Sequence, residues 1–209
     1  MTTPSSPDRT GLLLLLDAIT PWDDQEAADL ADARQWIDSG AALYRTRPPA
    51  EPPKHLVAYF VLVDGASGAL LLGAHRKAGL WLPTGGHIEP GEAPWETVER
   101  ECREELRMDA APHQAIGRSP LFLTVTSTRG TGTHTDVSLW FVLAGDMTAR
   151  LDYDTREFDD MRWLSPSTVL DTPIDTLDPH AHRFTRKLLA ALNKAASGGD
   201  AHRQAPPPT

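Results

Sequence analysis

Residues 85–108 read GGHIEPGEAPWETVERECREELRM. Pro90-Gly91 is a turn signal, and Pro94 suits the first turn of a helix, where its missing N–H costs nothing. From there Trp95, Val98, Cys102 and Leu106 recur at spacings of three and four, which makes one apolar face. Glu101, Glu104 and Glu105 fall within one turn on the neighbouring face, at the border between core and solvent. Glu96 stands four residues before Arg100 and Glu99 four before Arg103, spacings that favour ion pairs and leave the glutamate triplet unrelieved. Like charges at such spacings cost a helix about 0.2–0.5 kcal/mol per pair. An ordinary Glu-rich helix turns such a face to water. A hard divalent cation with oxygen ligands, Mg²⁺ or Mn²⁺, would also relieve it.

Outward from this helix the chain reads as strands. Residues 55–63, 69–75, 121–126 and 137–143 carry strand-like composition, and Asp64-Gly65-Ala66-Ser67-Gly68 is a hairpin turn between the first two. Residues 10–45 read as a helical extension. Thr20-Pro21 looks like a helix start, Asp23 and Asp24 suit its positive end, and Gly40 offers a stop. Residues 46–54, with Pro48, Pro49, Pro52 and Pro53, form a stiff connector. Residues 55–197 then make one domain, closed by an amphipathic helix over 180–196 with Phe184, Leu188, Leu192 and Ala195 on its stripe and Arg183, Arg186 and Lys187 on a solvated side. Residues 1–9 and 198–209 read as disordered tails.

The 209 residues hold 20 Lys and Arg against 29 Asp and Glu, a formal charge of −9. That balance argues against a nucleic acid polymer as partner, because such affinity comes from cationic neutralisation of phosphates. It leaves small phosphorylated molecules open, since a bound dication reverses the local sign. The single cysteine, Cys102, excludes an intrachain disulfide. It falls on the apolar face of the helix and reads as packing. The run of five leucines at 12–16 is too short to span a bilayer or to serve as the apolar region of a secretory signal. No membrane association is expected, and a reducing cytoplasm is the natural setting.

Gly86, Glu92 and the run Arg100-Glu101-Cys102-Arg103-Glu104-Glu105-Leu106-Arg107-Met108 resemble the Nudix box, GX5EX7REUXEEXGU, where U is a bulky apolar residue. Six of its seven strict positions are filled, and both apolar ones. The departure is Arg107 in place of the glycine that ends the helix in a left-handed conformation, so the helix is expected to end elsewhere, near Asp109 to Pro112. Trp81-Leu82-Pro83 before the paired glycines, and Glu157 six residues before Trp163, also look like Nudix domains.

The resemblance implies an α/β fold, a Nudix-type α/β/α sandwich with a mixed central sheet, here with an N-terminal helical extension. It implies a MutT-like diphosphohydrolase, an enzyme acting on phosphorus-containing anhydrides. The reaction would be metal-assisted attack of water on phosphorus in a nucleoside diphosphate linked to a moiety X, or in a nucleoside triphosphate. Carried onto this chain, Glu101, Glu104 and Glu105 would hold Mg²⁺, with Mn²⁺ as substitute, and the Gly85 carbonyl would add a ligand. Arg100 would orient Glu101 and Glu92 through charge-assisted hydrogen bonds. Family members take their general base from a box glutamate or from a carboxylate in a loop outside it, and Glu157 matches the position of one such loop residue. Trp81, His87 and His134, the last near Asp136, are candidate substrate contacts. Subfamily markers expected after the box for ADP-ribose, dinucleoside polyphosphate and NADH substrates are missing, with Leu, Thr, Val and Thr at 123–126. An isomerase of the same fold would need a catalytic cysteine on a strand, which Cys102 is not. A non-catalytic sensor of nucleotides or nucleotide sugars is the alternative, against which the intact glutamates stand. The apolar faces of the extension are expected to cap the domain or to build a homodimer contact.

Overall fold

A computed structural model describes residues 9–47, 51–128 and 133–203. Helices α1 (Arg9–Asp17) and α2 (Asp24–Asp38) precede strands β1 (Lys54–Asp64), β2 (Leu70–His75), β3 (Leu80–Leu82) and β4 (Thr84–His87). Helix α3 (Pro94–Leu106), strands β5 (Phe122–Ser127), β6 (Thr135–Gly145) and β7 (Phe158–Leu164) follow, then α4 (Pro166–Asp171) and α5 (Ala181–Arg203). The strands form a seven-stranded mixed sheet ordered β3-β2-β1-β6-β5, with β4 also on β1 and β7 on β2. β1 runs parallel to β6 over its whole length, from Lys54 opposite Thr135 to Asp64 opposite Gly145.

Period-two alternation in β1 and β6 sends side chains to two buried faces, as expected of a central parallel pair. Leu56, Ala58, Phe60, Leu62, Leu139 and Phe141 meet Val98, Cys102 and Leu106 of α3 on one face. Val61, Val63, Trp140 and Val142 meet Phe184 and Leu188 of α5 on the other. The result is a helix–sheet–helix sandwich.

The N-terminal helices belong to the first core: Leu12, Leu16, Leu30, Ala33 and Ile37 are all buried in it. Burial of a leucine or isoleucine contributes about 1.5–3 kcal/mol. Polar contacts fix α2 as firmly. β5 is the sheet edge, and such an edge exposes unpaired N–H groups. Here the Leu123 amide donates to Glu26 Oε1 at 3.2 Å. A carboxylate of α2 thus satisfies an edge donor that would otherwise be open.

Several sequence expectations change at this level. α2 starts one turn later than Thr20-Pro21 suggests: Asp23 is the N-cap, its carboxylate accepting from the Glu26 amide at 2.9 Å. The basic side of α5 is not a solvated face, because Lys187 is buried and donates to Glu26 Oε1 at 2.6 Å. Arg183 Nε donates to Asp23 Oδ2 at 2.8 Å, while Arg186 alone of the three stays exposed. β3 and β4, of three and four residues, and β7 are strands that composition did not mark. α5 runs to Arg203, while the remainders of both expected tails and Pro48 and Pro49 of the connector lie outside the described residues. Among the described residues, no helix is long and apolar enough to cross a membrane.

Candidate active site

Helix α3 carries the glutamates and β4 faces them. Pro94 opens the helix, and Glu96 accepts from the Ala93 amide at 2.8 Å, closing its first turn. Arg107 ends it by itself adopting the left-handed conformation, φ +55° and ψ +30°. The expected shift of the helix end towards Asp109 to Pro112 therefore does not occur: α3 ends at Leu106, where glycine would have ended it. Such backbone costs an L-residue about 1–2 kcal/mol.

The glutamates span a gradient of exposure rather than sharing one border. Glu105 is buried, Glu101 is half-buried, and Glu104 is exposed. Gly85 N–H donates to Glu105 Oε2 at 2.8 Å. Burial, with the charge of Glu101 added, pushes the Glu105 carboxyl up to about 9. Burial also raises Glu101, against the pull of the Arg100 hydrogen bond. Both glycines have steric reasons. A Cβ on Gly85, at φ +130°, would lie 2.2 Å from the Ala58 carbonyl oxygen, and one on Gly86 would lie 2.1 Å from Glu101 Oε1.

Arg100 braces the site. Its guanidinium donates to Glu92 Oε1 and Oε2 at 2.8 and 2.9 Å, to Glu101 Oε1 at 2.7 Å and to the His87 carbonyl at 3.1 Å. Burial works against the Glu92 charge, but Arg100 and Thr97 hold its carboxyl below the usual range. The ion pairs expected along the helix are not formed. Glu96 caps the first turn, Glu99 accepts from the Trp95 indole at 2.8 Å, and Arg103 turns to Asp109 at 2.9 Å.

Glu157 stands just before β7, against the glutamates: its charge bears on both Glu101 and Glu105. Neighbouring acids in that loop and in β7 are taken up by arginines: Asp154 by Arg156, Asp159 by Arg76 and Asp160 by Arg162. A cleft of about 300 Å³ is lined by His75, Lys77, Arg156 and Glu157, so two cations flank the carboxylate. Lys77 and Arg156 carried no motif that sequence reading could have singled out.

The remaining candidates separate. Trp81 sits in β3 against a small apolar cluster of Leu72, Val169 and Leu177, with Arg162 over its ring at 4.8 Å. His87 and His134 come together on a different part of the sheet, beside His55 and Asp136. Burial, with Arg45 nearby, lowers the His87 imidazole to about 4. Cys102 is fully buried and its thiol is pushed up to about 12 by burial, consistent with packing.

A family model for the NUDIX domain matches residues 53–188. The chain belongs to the Nudix family. Solved Nudix structures share its fold. A MutT protein from Methanosarcina mazei Go1 is 21% identical with TM-score 0.50, covering 69% of this chain and 96% of its own. A Caenorhabditis elegans Ap4A hydrolase in a binary complex is 18% identical with TM-score 0.52, covering 66% and 98%. The NUDIX domain of Shewanella oneidensis NrtR, complexed with ADP ribose, is 19% identical with TM-score 0.51, covering 66% and 87%. Among curated proteins no match is found.

Proposed function

We propose that this Nudix protein hydrolyses a diphosphate linkage in a nucleoside diphosphate-X or nucleoside triphosphate, using Mg²⁺, with Mn²⁺ as substitute, in a reducing cytoplasm. The observation that carries this reading is the clustering of Glu101, Glu105 and Glu157, with Glu105 bonded to Gly85 and Glu101 to Arg100, next to a cleft bearing Lys77 and Arg156. A carboxyl that is buried and raised to about 9 by burial and like charge is a donor set short of positive charge. All-oxygen donors with that deficit fit a hard divalent cation.

Glu101, Glu104 and Glu105 would hold that ion with the Gly85 carbonyl. When bound, it supplies charge for the displaced phosphate oxygens and lowers the pKa of coordinated water. The chain's own residues do the rest. Arg100 fixes Glu101 through a charge-assisted bond and is itself fixed by the bidentate Glu92 contact. Glu157 accepts the proton of the attacking water. Lys77 and Arg156 bind the non-bridging phosphate oxygens and the departing phosphate.

The test is a panel of nucleoside triphosphates, nucleotide sugars and dinucleotides, assayed with and without Mg²⁺. Cation-dependent release of a nucleoside monophosphate or of inorganic phosphate species supports hydrolysis. Saturable binding without turnover on any member would turn the reading to a sensor.

A further inference from the structure

On the face of the sheet turned away from α3, β4, β1 and β6 bring together three histidines and an aspartate. His55 at the start of β1 lies opposite Asp136 in β6, and His87 at the end of β4 lies opposite Val57. Registered partners share a face, so His55, His87 and Asp136 all point to one side, where His134 joins them from the loop before β6. One ligand-capable atom from each of the four lies within 4.8 Å of every other.

The hydrogen-bond pattern is wrong for a self-contained polar cluster. His55 is fully buried and its Nδ1 faces the Pro52 carbonyl at 2.9 Å. A carbonyl only accepts, so Nδ1 carries the proton, and in a neutral ring Nε2 presents its lone pair. That lone pair faces Asp136 Oδ1 at 3.2 Å, itself an acceptor. His55 Nε2, His87 Nε2 and Asp136 Oδ1 are buried and none makes a hydrogen bond. His134 Nε2 approaches the same carboxylate oxygen at 3.3 Å. Unsatisfied buried polar atoms cost about 1–3 kcal/mol each, and here three of them cluster.

We propose that His55, His87, His134 and Asp136 form a second metal site, for Zn²⁺ or a similar transition-metal dication, separate from the glutamate site. Three imidazoles and a carboxylate are a tetrahedral zinc donor set, whereas Mg²⁺ prefers oxygen ligands alone. The surrounding contacts fit as well: a metal-bound histidine usually donates its other N–H to a carbonyl or other fixed acceptor. His55 does so to Pro52, and His134 Nδ1 lies 3.2 Å from the Thr128 hydroxyl. Zn–N bonds of about 2.0–2.1 Å place tetrahedral donors roughly 3.4 Å apart, so a pair at the 4.8 Å limit closes by about 1.4 Å on binding. The site pins three strands together. Because the His87 carbonyl also accepts from Arg100 at 3.1 Å, it steadies the brace of the hydrolytic site from behind.

The test is metal analysis of the full-length, tag-free chain after incubation with Zn²⁺ and gel filtration, with Co²⁺ substitution as spectroscopic probe. One retained equivalent, a tetrahedral Co²⁺ visible spectrum and a higher melting temperature with Zn²⁺ are expected. His55 is too deeply buried for a clean variant, so the site is read on His87→Gln and His134→Ala, each expected to weaken Zn²⁺ at least 100-fold. Glu104→Gln and Glu105→Gln should retain the zinc. No retained zinc in the native chain, or retention unaffected in both histidine variants, overturns the proposal. Loss in the glutamate variants instead assigns the ion to the hydrolytic site and overturns it too.

Discussion

The Gly85 amide donates to Glu105 Oε2 across 2.8 Å, joining β4 to α3 at the centre of the glutamate site. The two adjacent glycines serve different ends, and their alanine variants should separate. In Gly85→Ala the new methyl group would meet main chain, 2.2 Å from Ala58 O, at φ +130°. We expect a loss of about 3 kcal/mol or more, roughly 10 °C in melting temperature. In Gly86→Ala it would meet the movable end of Glu101 instead. Melting should then barely change, while activity falls about 10²-fold because the carboxylate is displaced by an ångström or more. Paired melting curves and rates decide it.

Glu157 is cast as the group that takes the proton from water. Glu157→Gln preserves shape and removes basicity, so kcat should drop about 10²–10⁴-fold with KM little changed. A rate within a few-fold of the native enzyme would mean that Glu157 is neither base nor essential ligand.

Arg107 holds a position suited to glycine, at φ +55°. Arg107→Gly relieves a left-handed backbone cost of about 1 kcal/mol. It gives up only a long ion pair to Asp154 at 3.7 Å. Thermal unfolding should show a gain of about 2–4 °C. A loss would mean that the Asp154 contact outweighs the backbone strain.

The N-terminal extension should be inseparable from the fold. Glu26 is fully buried, pairs with Lys187 at 2.6 Å and accepts from the Leu123 amide. Glu26→Ala strands a buried cation and an edge-strand donor, at a cost of about 3–5 kcal/mol. Its neighbour Asp23 adds a pH dependence. The Arg183 hydrogen bond draws the Asp23 carboxyl down from 3.8 to about 2. A depressed folded-state pKa contributes stability above pH 3.8 that disappears as pH falls through 2. With the carboxylate a third exposed, that contribution is about 1 kcal/mol after screening. Asp23→Asn should flatten the melting profile between pH 4 and 2, measured by circular dichroism.

The sequence was most legible where one residue type has one physical use. The apolar spacing in α3 located its buried face, and the hairpin residues 64–68 sit where Gly68 takes φ +70°. Arg100 bonds Glu92 and Glu101, two residues of the same box. Legibility failed where a partner is distant in the chain. Lys187 resembles any helix-surface lysine until Glu26, 161 positions away, is seen against it. Glu96 and Arg100 have ideal ion-pair spacing, but the helix N-terminus and Glu92 compete for them and win. His55 carried no motif, and only the pairing of β1 with β6 sets it beside Asp136. Arg107 shows the same limit: its residue type disfavours the left-handed conformation, yet it takes φ +55° and ends α3.

Metal-dependent hydrolysis at the glutamate site is read from the rate of Glu105→Gln on whichever panel substrate the native protein turns over, at saturating Mg²⁺, with melting temperature recorded alongside. The amide oxygen can still accept from Gly85, so the fold should hold, while a charged ligand is lost. The expected result is a fall in kcat of at least about 10³-fold with melting unchanged within a few degrees. A folded Glu105→Gln protein that hydrolyses the substrate at near-native rate would contradict the account.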